Sequence, residues 1–426
     1  MILECASLNQ TRLENDQISG LIGMKITCIQ DNLARGLRVV RRAVPTRATL
    51  PITQNILIET EDARVKLSAT DLELSITTWV SGQIEKTGAI TLPARPLLDT
   101  ISSFDTGRVE FEITDDPYGA NIQTTSQRGD GPTTIDTSLR GAPKDDFPPF
   151  PEVSPKHRVR VDSGILRNAL DRTVFSAASD DARPVLTGVK MEVEGDKATF
   201  AAADGFRLSI ETAQLMEAAE EGFEALIPAR ALSELTALMA GTASTVEIMV
   251  SETGGEAMFR IGDEIEMITQ LIAGTYPDYK SLVPENTDTT MTISLDGIAH
   301  LARSTQVIAR EGSAIVRMVA TDIEGQGRLT LSASAEDLGN SEGTLDIDLE
   351  GEEGKIAFNV RFLNDLVSHS QGGTSNPTET DGSEDGSPSG PEKMILSIST
   401  PSSPAVFRLS SHPGFTHVVM PMYVQW

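Results

Sequence analysis

The chain has 426 residues, 39% of them hydrophobic, and a formal net charge of −27; that length suits two to four domains, each able to bury its own core. No apolar run is long enough for a membrane-spanning helix, and two cysteines, Cys5 and Cys28, exclude a disulfide framework and point to a reducing cytoplasm. Taken alone, the acidic balance argues against nucleic acid as a partner, because phosphate binding needs Lys and Arg.

Residues 1–23 show no helical or strand period and lack the basic start and long apolar core of a signal peptide. They read as an N-terminal extension, with Met24 a plausible alternative start. Met24-Lys-Ile-Thr-Cys-Ile reads as a first strand. Asp31 opens a helix to about Ala43, with Leu33, Leu37, Val40 and Val44 at helical spacing, and Pro45 ends it. Alternating strands follow at 52–60, 64–69 and 72–80. Leu92-Pro-Ala-Arg95 starts a short helix, with Pro93 in its opening turn. Strands at 108–114, 119–125 and 133–139 lead to a linker from Pro143 to Pro155 that holds five prolines.

The order then restarts. Val159 leads into a helix from about Gly164 to Ala178, then strands at 185–194, 197–203 and 206–213, a second short helix at Ile227, and strands at 245–251, 256–261 and 265–272. A third restart is Met291-Thr-Ile-Ser-Leu-Asp296, with a helix to about Ala309. Residues 371–393 hold Gly, Ser, Pro, Thr and acids without a hydrophobe before Met394, and read as a disordered loop inside the third repeat.

The three short helices align without gaps. Arg95, Arg230 and Arg361 coincide, as do Leu97, Leu232 and Leu363, and the acids Asp99, Glu234 and Asp365. The arginines are 135 and 131 residues apart; the starts of the first helices, near Asp31, Ser163 and Asp296, are 132 and 133 apart. A period of that size is a whole domain. The expected class is α+β, with three similar domains at 24–153, 154–287 and 288–426. Each has two helices and sheets with one buried face.

No phosphate-cradling glycine loop, zinc-spaced Cys/His set or nucleophile elbow occurs. The five histidines (His157, His300, His369, His412, His417) have no metal spacing and read as surface residues. A non-enzymatic protein without metal or cofactor is expected. The cations, however, are clustered. Asp31–Arg47 holds five arginines (35, 38, 41, 42, 47) against one acid, and Gly297–Arg310 holds His300, Arg303 and Arg310 with no acid. The second first-helix is mixed, with Arg167, Arg172 and Arg183 against Asp171, Asp180 and Asp181. A solvated basic face explains any one helix. Recurrence in equivalent elements favours one positive inner surface for a duplex in an acidic body. The chain also ends on Val418-Val-Met-Pro-Met-Tyr-Val-Gln-Trp426, unusually apolar for a terminus. Methionines beside proline suit an adaptable apolar pocket for short peptides.

These residues carry a family resemblance. Arg47-Ala-Thr-Leu-Pro51, Thr70-Asp-Leu-Glu73, Leu92-Pro-Ala-Arg95, Ala203-Asp-Gly-Phe-Arg-Leu208, Tyr276-Pro-Asp-Tyr279 and Val418-Val-Met-Pro-Met422 occur in the order and spacing of the bacterial β sliding clamps. The chain resembles that family over 24–424. The resemblance implies three clamp domains per chain and a head-to-tail homodimeric ring, sheets outside and helices lining the hole. It implies a processivity factor that encircles duplex DNA and tethers the replicative polymerase, the clamp loader and other polymerases and repair proteins through short linear motifs. The alternative is a clamp-like peptide-binding adaptor that does not encircle DNA. Arg47 and Arg183 match DNA-facing family positions; Arg38, Arg41, Arg42, Arg303 and Arg310 follow from helix placement. The implied peptide pocket comprises Leu186, Gly205, Phe206, Arg207, Leu208, Pro277, Leu282, Val418, Met420, Pro421 and Met422. Ala203 and Phe206 stand where the family more usually has Thr and His or Tyr. Ser281 replaces a common basic residue, and Tyr423–Trp426 extends the usual end.

Overall fold

The computed structural model describes residues 23–128, 131–180, 182–241, 244–371 and 392–426. The expected extension at 1–23 and loop at 371–393, apart from their end residues, lie outside the described residues, as do Cys5 and Asp181. By contacts the chain divides into two units. The first runs through Lys156 and takes in Val246–Gln270; the second comprises His157–Thr245 and Leu271–Trp426.

In the first unit all strand pairs are antiparallel. Lys25–Ile29 lies between Leu74–Lys86 and Arg108–Asp115, and Tyr118–Arg128 and Gly131–Arg140 continue that edge. The long strand Leu74–Lys86 also pairs with Arg64–Thr70, which leads to Asn55–Glu61 and Ala89–Pro93. Its first residues pair with Ile265–Gln270, Leu74 opposite Thr269 and Thr78 opposite Ile265. Alternation sets the buried face: in Arg108–Asp115, Val109, Phe111 and Ile113 are buried and the glutamates between them exposed.

Helix α1 (Gln30–Val40) buries Leu33, Ala34, Leu37 and Val40 along one stripe. Gly36 is required there: a Cβ would sit 2.5 Å from Val80 Cγ2 and 2.9 Å from Leu67 Cδ1, so a larger residue would lift the helix off the sheet. Gln30 Nε2 donates to the Ile101 carbonyl at 2.7 Å, tying α1 to α2 (Ala94–Ser103).

The second unit has one antiparallel sheet of twelve strands. Its order is Phe223–Pro228, Gly188–Glu194, Lys197–Ala203, Arg207–Gln214, His412–Val419, Ala405–Leu409, Lys393–Ile398, Thr289–Ser294, Gly339–Gly351, Gln326–Ala335, Ile315–Ile323, Gly354–Asn359. Four helices belong to it: α3 (Ser163–Thr173), α4 (Ala229–Leu238), α5 (Leu295–Glu311) and α6 (Val360–Ser370). Asp162, Ser294 and Asn359 cap α3, α5 and α6 with their side chains, each worth about 1 kcal/mol. The aligned motif of the short helices has a local meaning. Leu97, Leu232 and Leu363 are buried. Arg95 reaches Asp99 at 3.8 Å and Arg361 reaches Asp365 at 3.9 Å, ion pairs one helical turn apart.

One expectation is corrected. The histidines do not all lie at the surface: His417 is fully buried. It shares the inward face of its strand with Phe415 and Val419, and its Nδ1 hydrogen-bonds Ser209 Oγ at 2.7 Å. Arg172 of α3 also turns inward, 3.3 Å from Glu211 Oε2 and 2.8 Å from His412 Nε2.

Candidate functional site: an apolar wall and two arginine faces

Two strands 200 residues apart in sequence build the apolar site. Arg207–Gln214 pairs with His412–Val419 so that Leu208 faces Val418 and Arg207 faces Val419. Leu208, Val418 and Leu186 then fall in one buried cluster with Ala203, Tyr276 and Tyr279. Above this floor the rim is open: Phe206 is 61% exposed, Leu282 51% and Met420 44%. Met420 N donates to the Phe206 carbonyl at 2.8 Å, joining the two sides of the rim. Gly205 and Pro277 are exposed, Pro421 and Met422 half-buried. Met422 N donates to the Ala357 carbonyl, so the chain end leaves the rim along Gly354–Asn359. Beyond it, Tyr423 is exposed and Lys355 Nζ stands 5.2 Å from the Trp426 ring centroid.

The turn that carries Gly205 and Phe206 is held by charge. Asp204 Oδ1 accepts from the Phe206 and Arg207 amides at 2.9 and 3.0 Å. Its Oδ2 accepts from Arg207 Nε at 3.0 Å. The Arg207 guanidinium lies 4.8 Å from the Phe362 ring centroid and 5.4 Å from that of Phe175. Phe206 stacks on Phe362, centroids 6.5 Å apart. Arg207 is therefore a buried strut behind the rim, while Phe206 presents its ring to solvent.

The segment with Pro277 and Leu282 is anchored by residues the sequence reading did not single out. Glu192 accepts from Tyr279 Oη at 2.7 Å and pairs with Lys280 and Lys190, each at 2.9 Å. Burial alone would raise the Glu192 carboxyl, but these hydrogen bonds and charges bring it down to about 2. Burial, then the hydrogen bond to Glu192 and its charge, raise the Tyr279 phenol well above its ordinary range. The sequence shows only the local half of this anchor: Lys190 and Glu192 alternate with buried Met191 and Val193 on one strand and so share its outer face.

The arginines lie where their helices leave them. In the first unit Arg38 ends α1, Arg41 and Arg42 lie in the single turn Arg41–Ala43, and Arg47 follows. All four are exposed, opposite the buried stripe Leu33–Leu37–Val40. In the second unit Arg303 and Arg310 are exposed on α5, opposite Ile298, Ala299, Ala302 and Ala309. Arg183 is exposed but stands beside the apolar site, its Nη2 donating to the Asp204 carbonyl at 3.1 Å.

Comparison with known proteins gives one answer along the chain. Residues 24–151 match the family model of the DNA polymerase III beta subunit N-terminal domain, 160–278 that of its central domain and 280–372 that of its C-terminal domain. The beta sliding clamp of Synechocystis is 32% identical over 363 residues, covering 80% of this chain and 89% of that one. The beta sliding clamp of Bacillus subtilis is 26% identical over 354 residues, covering 81% and 90%. Among solved structures, a DNA polymerase sliding clamp from Bacillus subtilis superposes with a TM-score of 0.81 over 94% of this chain and 100% of that one, at 23% identity. A DNA polymerase III beta subunit from Thermotoga maritima gives 0.79 at 21% identity.

Proposed function

The chain belongs to the beta sliding clamp family of DNA polymerase III beta subunits, and from that premise we propose how its residues divide the work. A sliding clamp is a non-catalytic processivity factor, so its two tasks are to hold DNA without gripping a sequence and to hold partners by a short peptide.

In this reading the domains run 24–153, 154–287 and 288–426. Two chains close head to tail into a ring around duplex DNA, in the cytoplasm. Head-to-tail contacts close into a ring when the rotation allows. Retention on DNA is topological, so contacts need only keep the duplex centred. Phosphate contacts suit this, because they carry no sequence information and permit sliding. Arg38, Arg41, Arg42, Arg47, Arg183, Arg303 and Arg310 would supply them, and the acidic remainder would repel DNA elsewhere. The observation that carries this reading is the exposed run Arg38, Arg41, Arg42, Arg47 on an element whose other face is core, in a chain of net charge −27.

The peptide site would use Leu186, Leu208 and Val418 as floor and Phe206, Leu282 and Met420 as rim. Gly205, Arg207, Pro277, Pro421 and Met422 would shape it. Its partners would be the replicative polymerase, the clamp loader, other polymerases and repair proteins. A few buried anchors carry the energy of such a site. The test is retention on nicked circular against linearised plasmid after loading by the cognate clamp loader with ATP. Protein that stays on circles and runs off linear DNA supports the ring; equal loss from both overturns it.

A further inference from the structure

We propose that Arg183 couples the two tasks: a duplex phosphate that takes its guanidinium withdraws it from the wall of the peptide site, so DNA and peptide weaken each other's binding. The inference rests on the reading of both sites given above and adds a link between them.

The geometry centres on the Arg183 guanidinium. Its Nη2 donates to the Asp204 carbonyl at 3.1 Å. The next residue, Gly205, has φ +93°, a conformation that favours glycine. A Cβ on Gly205 would stand 2.9 Å from Arg183 Nη2 and 3.0 Å from Nη1, so the guanidinium lies directly against the bare Cα. On the other side, the Arg183 carbonyl accepts from Leu186 N at 2.9 Å, and the Leu186 carbonyl accepts from Ala178 N at 2.9 Å. Arg183 thus touches both the turn that carries Phe206 and the turn that carries Leu186. Met420 is bonded in turn to Phe206.

The competition has a predictable direction. The Asp204 carbonyl is a neutral acceptor, whereas a phosphate carries charge and can take two guanidinium N–H groups at once, so the phosphate is the stronger partner. Arg183 is exposed and can meet a phosphate without unfolding anything. Once it leaves, Gly205 loses its cover and the Asp204 carbonyl its donor. The Asp204 carboxylate still holds the Phe206 and Arg207 amides. The wall therefore loosens but does not collapse, which sets the effect at the lower end of ordinary coupling, about fivefold. Coupling of binding free energies is reciprocal, so the peptide weakens duplex binding by the same factor.

The experiment is anisotropy of a labelled polymerase carboxy-terminal peptide titrated with full-length protein at low salt. It is run with and without a saturating short duplex, and duplex occupancy is followed in parallel by a second label. The expected result is a peptide Kd about fivefold weaker with duplex in the wild type, and a single Kd in Arg183→Ala. A wild type with one Kd at full duplex occupancy overturns the coupling. So does an undiminished difference in Arg183→Ala. A wild type that binds duplex but no peptide overturns the pocket reading itself, and one that binds peptide but no duplex overturns the DNA reading; either takes the coupling with it.

Discussion

Arg207 Nη1 lies 2.7 Å from Asp365 Oδ2, a contact that joins the strand beside the peptide site to α6. The Arg207 side chain is only 6% exposed and Asp365 31%. Without Asp365 the guanidinium keeps its pair with Asp204 but leaves one largely buried N–H without its partner. Asp365→Ala should therefore lower the stability of the second unit by about 1–3 kcal/mol, seen as a lower midpoint in chemical denaturation. Its peptide affinity should fall only slightly, because Asp204 still holds the turn behind Phe206. A variant with unchanged denaturation would show that Asp204 alone suffices as counter-charge.

Met420 and Leu208 separate the binding role from the folding role. Met420 is 44% exposed and Leu208 2%. Met420→Ala should leave thermal stability nearly unchanged and weaken a polymerase-tail peptide about thirtyfold, the cost of about 2 kcal/mol that marks a hot-spot side chain. Leu208→Ala should weaken the peptide and also destabilise the fold by about 2–5 kcal/mol, through lost burial and the cavity left behind. Equal peptide affinity for wild type and Met420→Ala would remove Met420 from the rim.

The repeat was legible because it is written locally. Leu97, Leu232 and Leu363 are buried, and Arg95–Asp99 and Arg361–Asp365 are ion pairs within one helix. The helix faces and most strands followed from their periods in the same way. The missed features are long-range. Nothing near Glu192 announces that Tyr279 and Lys280 will converge on it from 87 and 88 residues away. Nor does the local sequence of α3 show that Arg172 will turn inward to Glu211 and His412. His417 was within reach: Phe415, His417 and Val419 alternate, and the period of two puts all three on the buried face. For His417 the strand position outweighs the average tendency of a histidine to lie at the surface.

Arg47 gives the cleanest test of the DNA face. It is exposed and lies beyond the end of α1, outside its buried stripe. Arg47→Glu should weaken duplex binding most at low salt. Counterion release predicts that losing one phosphate contact flattens the slope of log K against log salt by about 0.9. Titration of a labelled duplex at several salt concentrations gives that slope. A parallel offset with the slope unchanged would mean that Arg47 acts on the fold and not on phosphate.

Acid should destabilise the second unit through His417. Burial, with the charges of Arg207 and His369 adding to it, lowers this imidazole to about 3, against an ordinary value near 6.5. The folded state keeps the ring neutral while the unfolded chain protonates it. Stability is thus complete above about pH 6.5 and is lost as pH falls toward about 3. In that window the unfolded chain binds one more proton from this residue, which is worth roughly 1.4 kcal/mol per pH unit. Burial and the nearby Arg172 also lower His412, which adds in the same direction. Glu211 works against both. Its carboxyl is raised by burial, so it takes up its proton in the folded state first and returns some stability on acidification. Chemical denaturation from pH 7 to pH 4 should show a steep loss in the wild type and a shallower one in His417→Gln, which keeps a hydrogen-bonding side chain beside Ser209 without a titrating group. Parallel pH profiles for the two proteins would assign the acid sensitivity to the remaining groups.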